Sequence, residues 1–467
     1  MKKTLLFATI AFSFILAASP LAVAAPASGS GGDFNYTPFS YYVAVGALKA
    51  SPQQIPACAD LFNVPSPLTC YSPQFLSAAY NYPTTLNGKG QTILIVDAYG
   101  SPTIVSDLAL FDAVFNIPAP PSFTIYCPQG CPTPSYTSSF GKFGGNPHGA
   151  LGWALETSLD VEYSHAMAPG ANIVLVVATS SSGNAINAAE TSAIAKYPGS
   201  IMSQSFGTPE YLIHSNSAQV LQAEKNYQTA AAEGITVFAS AGDSGASNGG
   251  PIANANFPAS SPYVTGVGGT MGLPYPGGLV TYSTSSDCTI IIPSYCPGTY
   301  GGEQVWNEPT TFSTPAAGGG APSLFFPVPA YQQGLGLTSR TTPDVSYNAA
   351  GNGGVLVIDD ACPSCYGLAA PVIFLVGGTS AGSPQWAAIA ALADQSAGHS
   401  LGFLNTAIYA IGENPTAYGQ AFHDITVGNN ILGGTTIGFS AGPGYDAASG
   451  WGTPNVANLI PYLVSPP

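Results

Sequence analysis

Val376-Gly377-Gly378-Thr379-Ser380-Ala381-Gly382-Ser383-Pro384 carries an apolar strand into a glycine turn, a serine and then the alanine-rich helix Gln385 to Ala397. Glycine lets the backbone turn sharply, so the hydroxyl of Ser380 is expected at a helix N-terminus, with a backbone N–H beside it to bind an oxyanion. That is a place for a nucleophile. It is equally a place for a helix N-cap, a role that serine fills widely. Upstream, apolar β-branched runs at Thr92 to Val96, Asn172 to Ala178, Ile201 to Ser205 and Ile235 to Ala241, together with Val372 to Val376, alternate with helical stretches such as Ser217 to Ala232 and Pro384 to Ala397. The alternation predicts an α/β fold in which helices cover both faces of a parallel sheet. Asp97, Asp243 and the turn before Ser380 then fall at strand C-terminal ends, where open α/β sheets place their ligands. The proline- and glycine-rich stretches Pro118 to Pro147 and Gly272 to Gly320 are expected as long surface loops.

A serine hydroxyl is a weak nucleophile until a base removes its proton. The chain has five histidines, at positions 148, 165, 214, 399 and 423, and only His148-Gly149 approaches the His-Gly-Thr context of subtilisin-type proteases. Directly after it, Leu151 to Met167 reads as a helix stopped by Pro169-Gly170, and on it Glu156 and Asp160 are four residues apart and share a face. Like charges at that spacing repel on an isolated helix, so the pair is either an ordinary solvated face or a proton-sharing couple. A further acid, Asp243, follows the apolar run Val237 to Ala241 in Ser240-Ala241-Gly242-Asp243-Ser244-Gly245. It is open to reading as a turn aspartate in a glycine-rich loop.

Three segments together resemble the sedolisins, the serine-carboxyl peptidases, whose fold is similar to that of subtilisin. They are Glu156-x-x-Leu159-Asp160-Val161-Glu162 followed by Ala168-Pro169-Gly170-Ala171, then Ser240-Ala241-Gly242-Asp243, then Gly377-Gly378-Thr379-Ser380-Ala381. Supporting stretches are Thr92 to Val96 with Asp97-Ala98-Tyr99, Ser203 to Glu210, and Arg340 to Ser346. The resemblance implies a subtilisin-like parallel sheet and one large catalytic domain from Cys70 to the C-terminus. It implies Ser380 as nucleophile, Glu156 as general base, Asp160 as the acid that tunes Glu156, and Asp243 as the oxyanion-hole side chain. It also implies a calcium site formed by the carboxylates of Asp424 and Asp446 and the backbone carbonyls of Ile425, Gly442 and Gly444, an oxygen-only set suited to a hard cation. Two ordinary aspartate turns are the alternative. A histidine of unperturbed pKa about 6.5 is protonated in acid, whereas a glutamate near 4.3 still accepts a proton, so the Glu/Asp base implies an enzyme that works in acid. Asp243 can donate to an oxyanion only while protonated.

The chain departs from the family at two places. Only Ala25 to about Thr69 precedes the similarity, where sedolisins usually carry a large prodomain, and Phe206 stands where many relatives have a tryptophan. Met1-Lys2-Lys3, an apolar run and the small-residue site Ala22-Val23-Ala24 read as a signal peptide over residues 1–24, which implies a secreted, extracellular protein. Without Lys2 and Lys3, six basic residues face 23 acids, a formal charge of −17. Such an excess is neutralised in acid and offers no basic patch for nucleic acid. No later apolar stretch is long enough to span a bilayer, and the expected partners are polypeptide substrates of a monomer. The eight cysteines pair by proximity into 58–70, 127–131, 288–296 and 362–365, which in an exported chain favours four local disulfides over a metal site. Two rival functions remain. One is a subtilisin-type protease using Asp97, His148 and Ser380, and the other is a non-catalytic wall or adhesion protein suggested by the Ser, Thr, Gly and Tyr content.

Overall fold

In the computed structural model, the structure describes residues 33–47, 70–136, 149–272, 279–283, 296–309 and 315–467. The signal segment, most of the 25–69 extension, His148, Cys58 and Cys288 lie outside the described residues.

The central strand is Thr92–Ala98, and its side chains divide by alternation. Ile93 and Ile95 join one core with Leu155 and Leu159 of the helix Ala150–Met167 and with Trp386 of the helix Gly382–Ala397. Leu94 and Val96 join another with Ile186 and Ala189 of the helix Gly183–Lys196 and with Val220 and Tyr227 of the helix Ala218–Ala232. A strand apolar on both sides thus lies between two helical layers, as the near-continuous runs of Val, Ile and Leu predict. Around it the sheet has eight strands, with Asn172–Ala178 and Phe123–Tyr126 on one side and Ile201–Gln204, Thr236–Ser240 and Thr265–Gly272 on the other. All these pairings are parallel. Val345–Asn348 adds in parallel to Thr265–Gly272, and Glu303–Val305 adds antiparallel to the same strand. The fold is the expected α/β architecture.

Two expectations need correction. Val372–Gly377 is not part of the parallel sheet. It is an inner strand of a separate four-stranded sheet, antiparallel to Tyr41–Ala47 on one edge and to Gly354–Ile358 on the other. Buried on every residue, it has the apolar composition of a parallel core strand, and composition does not report direction. Nor is the stretch from Gly272 to Gly320 all surface loop. Glu303–Val305 borders the main sheet, Trp306 is fully buried, and Glu303 is held inside by the hydroxyls of Thr270, Thr453 and Tyr80. In the earlier stretch, Phe123–Tyr126 likewise belongs to the sheet.

Disulfides link Cys127 to Cys131 and Cys362 to Cys365. Arg340, the chain's single arginine, is fully buried and forks onto Asp344, with Nη1 at 2.7 Å from Oδ1 and Nη2 at 2.5 Å from Oδ2. Among the described residues no helix is long and apolar enough to cross a membrane.

Candidate active site

Beyond Val372–Gly377 the chain turns at Gly378, whose φ of 115° lies where only glycine sits without strain. A Cβ there would also collide with the carbonyl oxygen of Phe39 and stand 2.6 Å from Oδ2 of Asp243. A short 3₁₀ turn, Thr379–Ala381, then leads into the helix Gly382–Ala397. Ser380 is fully buried in that turn, and its hydroxyl does not cap the helix but donates to the carbonyl of Ser205 at 3.1 Å. Its backbone N–H donates to the carbonyl of Phe39 at 3.1 Å.

The helix Ala150–Met167 is buried over almost its whole length, so the face carrying Glu156 and Asp160 is not a solvated one. Neither carboxylate oxygen of Glu156 makes a hydrogen bond of normal length, although the hydroxyls of Ser380 and Ser40 face it and favour its ionised form. Burial outweighs them, and with Asp97 and Asp243 nearby holds Glu156 well above the usual carboxylate range. Asp160 accepts the Ser205 hydroxyl at 2.8 Å through Oδ1, has Oδ2 unpaired, and is pushed up by burial and by Asp97 and Glu156. Asp97, at the C-terminal end of the central strand, has both oxygens unpaired and is pushed by burial to about 7. These three acids titrate together. Burial opposes the loss of even the first proton, and each charge that forms raises the other two acids further.

Asp243 follows the strand Thr236–Ser240. Its Oδ1 accepts the backbone N–H of Thr379 at 2.8 Å and the Thr379 hydroxyl at 2.7 Å, which fixes the carboxyl against the Ser380 turn. Oδ2 is buried and unpaired beside Gly378, and burial pushes the group to about 8. Below that pH the carboxyl is neutral, and a proton on Oδ2 is a donor aimed at the space next to Ser380. Of the described histidines, His165 pairs with Asp112 at 3.1 Å, His399 bonds to the carbonyl of Ser400 and His423 stacks on Tyr300. Burial lowers His423 to about 4. Phe206 packs on Trp153 and Tyr36 with ring centroids 5.6 and 4.8 Å apart, and gives the carboxylates no donor.

The sequence did not single out Ser205, Thr379, Phe39 or Ser40 as site residues. Thr379 and Ser205 act through their hydroxyls on Asp243 and Asp160, and those residue types are too common to stand out in a sequence. Phe39 and Ser40 lie in Tyr36-Thr37-Pro38-Phe39-Ser40-Tyr41-Tyr42-Val43, whose aromatic and β-branched content was a strand signal.

At the second expected site, the structure brings Asp424, Gly442, Gly444 and Asp446 together. Gly444 N–H donates to both oxygens of Asp424 at 3.1 Å, joining two loops, and Tyr418 donates to Oδ1 at 2.8 Å. Asp446 takes N–H groups from Gly442, Ala448 and Ser449. Among the described residues no group of three or more His, Cys, Asp or Glu side chains could hold a metal ion. Asp446 also accepts the Ser449 hydroxyl on both oxygens, whereas Oδ2 of Asp424 accepts the Gly444 N–H and keeps a lone pair that would suit a hard cation.

No protein-family model matches the chain. It is 31% identical over 409 residues to kumamolisin of Bacillus sp. (strain MN-32), covering 85% of this chain and 64% of that protein. It is 33% identical over 263 residues to sedolisin of Pseudomonas sp. (strain 101), covering 54% and 39%. The fold matches the structure of Pseudomonas sedolisin, a serine-carboxyl proteinase complexed with two molecules of pseudo-iodotyrostatin, with a TM-score of 0.66 and 26% identity over 86% of this chain and all of that one. In sequence and in fold the chain is related to the sedolisins. It spans less than two thirds of the length of the two curated relatives. The subtilisin-like fold expected from the sequence is the one this sedolisin has.

The buried acids of this chain set the expected sign of its pH response. Burial raises Asp97, Asp107, Glu190 and Glu224 to about 7 and Asp243 and Asp359 to about 8. In the unfolded chain such groups titrate near 4, so between about pH 4 and 8 the folded state binds more protons. Stability is therefore complete below the unfolded values and is lost as pH rises through the folded ones. Thermal melts at constant ionic strength are expected to show the melting temperature falling by about 10 °C or more from pH 4 to pH 8. A melting temperature that climbs toward neutrality would contradict this.

Proposed function

We propose that the protein is a secreted serine-carboxyl endopeptidase that hydrolyses polypeptides in acid. The observation that carries the reading is a buried, unpaired Glu156 carboxylate facing the hydroxyl of Ser380, since a buried acid without partners is costly unless it has a task. Ser380 attacks the carbonyl carbon and its proton passes to Glu156 in its ionised form, with Asp160 beside it in the same cluster tuning its affinity for that proton. The developing oxyanion takes the N–H of Ser380 and the proton on Asp243. Glu156 then returns its proton to the leaving amine, and water releases the acyl group. The working range is bounded by the acid cluster on one side and by Asp243, neutral below about 8, on the other. A pH–rate profile on an unfolded protein tests this. A maximum in acid is expected, whereas a rise toward neutral pH would favour a histidine base.

In this reading residues 1–24 are removed on export, 25–69 form a short N-terminal extension and 70–467 form the peptidase domain of a monomer. Asp424, Ile425, Gly442, Gly444 and Asp446 would hold one calcium ion, which, bound, would tie two loops together electrostatically. Saturating calcium, relative to a chelator, is expected to raise the melting temperature by about 2–5 °C at pH 6. Asp446→Asn should abolish the difference between calcium and chelator, whatever it does to the baseline. A melting temperature indifferent to calcium in the unsubstituted protein would leave these residues as turns.

A further inference from the structure

A protonated carboxyl has two unlike oxygens, one that donates and one that only accepts, and on an isolated aspartic acid the proton can sit on either. At Asp243 the surroundings make the choice. The hydroxyl and the backbone N–H of Thr379 both donate to Oδ1, at 2.7 and 2.8 Å. A proton on Oδ1 would displace the hydroxyl hydrogen and leave the N–H facing a C–O–H oxygen, a poorer acceptor than a carbonyl. The displaced hydrogen would have nowhere to go among the described residues, because the other bond of Thr379 Oγ1 is one it accepts, from Gly242 N–H at 3.1 Å. Oδ2, buried and unpaired, meets no such donor.

The frame around this contact is fixed. Ala317 N–H donates to the carbonyl of Asp243 at 3.0 Å, Gly319 N–H to that of Gly242 at 2.7 Å, and Asn256 Nδ2 to that of Ala241 at 2.8 Å. Thr379 is fully buried, and its own carbonyl accepts the Ser240 hydroxyl at 3.2 Å. Consecutive N–H groups of one 3₁₀ turn therefore act on two different oxygens. That of Thr379 holds Oδ1 of Asp243, and that of Ser380 is the backbone donor to the oxyanion in the mechanism above.

We propose that Thr379 is a positioning residue that confines the proton of Asp243 to Oδ2, the oxygen aimed at the oxyanion. The proposal rests on Asp243 serving the oxyanion. The two Thr379 hydrogens on Oδ1 also favour the ionised carboxylate, and so pull against the burial that raises Asp243. The titratable neighbours of Asp243 are Glu156 on the helix Ala150–Met167 and Tyr41 on the strand Tyr41–Ala47, and a change at position 379 leaves both in place. Loss of the Thr379 hydroxyl should therefore harm catalysis in acid and yet extend it toward alkaline pH. A residue that only packed against the turn would do the first without the second.

The test measures pH–rate profiles of the full chain on an unfolded protein. Thr379→Val keeps the shape and loses the hydroxyl, Thr379→Ser keeps the hydroxyl, and Thr379→Val is also combined with Asp243→Asn. Thr379→Ala replaces the valine variant if that one fails to fold. In Thr379→Val, kcat near pH 4 should fall at least about 10-fold while the alkaline limb moves up by about 1 pH unit. Thr379→Ser should keep the limb in place and lose at most about 3-fold. In the Asp243→Asn background the hydrogens are fixed to nitrogen and need no hydroxyl to locate them, so Thr379→Val should cost at most about 3-fold there. An unmoved limb, an equal loss in both backgrounds, or a serine variant no better than valine overturns this inference and leaves the role of Asp243 standing. A loss below about 3-fold in Asp243→Ala removes Asp243 from the oxyanion site, and this inference with it.

Discussion

Ser380→Ala is expected to lower kcat on an unfolded protein by at least about 10⁴-fold while leaving the fold intact. The hydroxyl donates to the carbonyl of Ser205, and its removal leaves only a small buried void. Glu156→Gln should be nearly as damaging at every pH, because the amide has the shape of the carboxylate but takes no proton. His148→Ala is expected to retain full activity in acid. Steady-state kinetics on the three variants, with melting temperatures as a check on folding, decide the matter. If the histidine variant were the inactive one and Glu156→Gln remained active, a subtilisin-type base would be at work.

The second large effect concerns Asp243, where charge and shape can be separated. In the proposed mechanism Asp243→Ala removes the side-chain donor to the oxyanion and should cost about 10²–10³ in kcat. Asp243→Asn can still accept from Thr379 through its oxygen and donates through its nitrogen without needing a proton. Burial pushes the carboxyl up to about 8, so in the proposed mechanism the unsubstituted protein loses this donor as pH rises through that value and the asparagine variant does not. The expected signature is an alkaline limb of the pH–rate profile displaced upward in Asp243→Asn, with activity near pH 6 within about 10-fold of wild type. An unmoved limb would mean that another group sets it.

Much of this site was legible because it is built from local patterns. The glycine turn before Ser380, the four-residue spacing of Glu156 and Asp160 and the acid after Thr236–Ser240 each follow from one segment, and the structure brings all three together. The sheet was legible for the same reason, since runs such as Thr92–Ala98 are apolar on both sides. What was not legible depends on contacts between distant segments. Val372–Gly377 runs antiparallel to a strand more than 300 residues earlier, and nothing in its own composition reports that direction. Glu303 and Trp306 sit in a stretch with the composition of a loop, and are buried because Tyr80, Thr270 and Thr453 from other segments satisfy Glu303 while Glu308 of the same stretch accepts the Trp306 N–H. The strand at 37–38 depends on Phe206 and Gly207 for its pairing.

The two terminal nitrogens of Arg340 donate to Asp344 and to the carbonyls of Thr341, Ala259 and Val264, all out of reach of solvent. Dissolved salt weakens attractions between exposed charges over about 10 Å at 0.1 M and acts much less on buried pairs. Here the strongest attraction is internal, and lysines are too few to knit the surface with ion pairs. Once acid has neutralised the exposed carboxylates, little coulombic cohesion is left for ions to screen. The folded molecule should therefore be nearly indifferent to brine, holding the same midpoint of unfolding in dilute buffer and in concentrated sodium chloride.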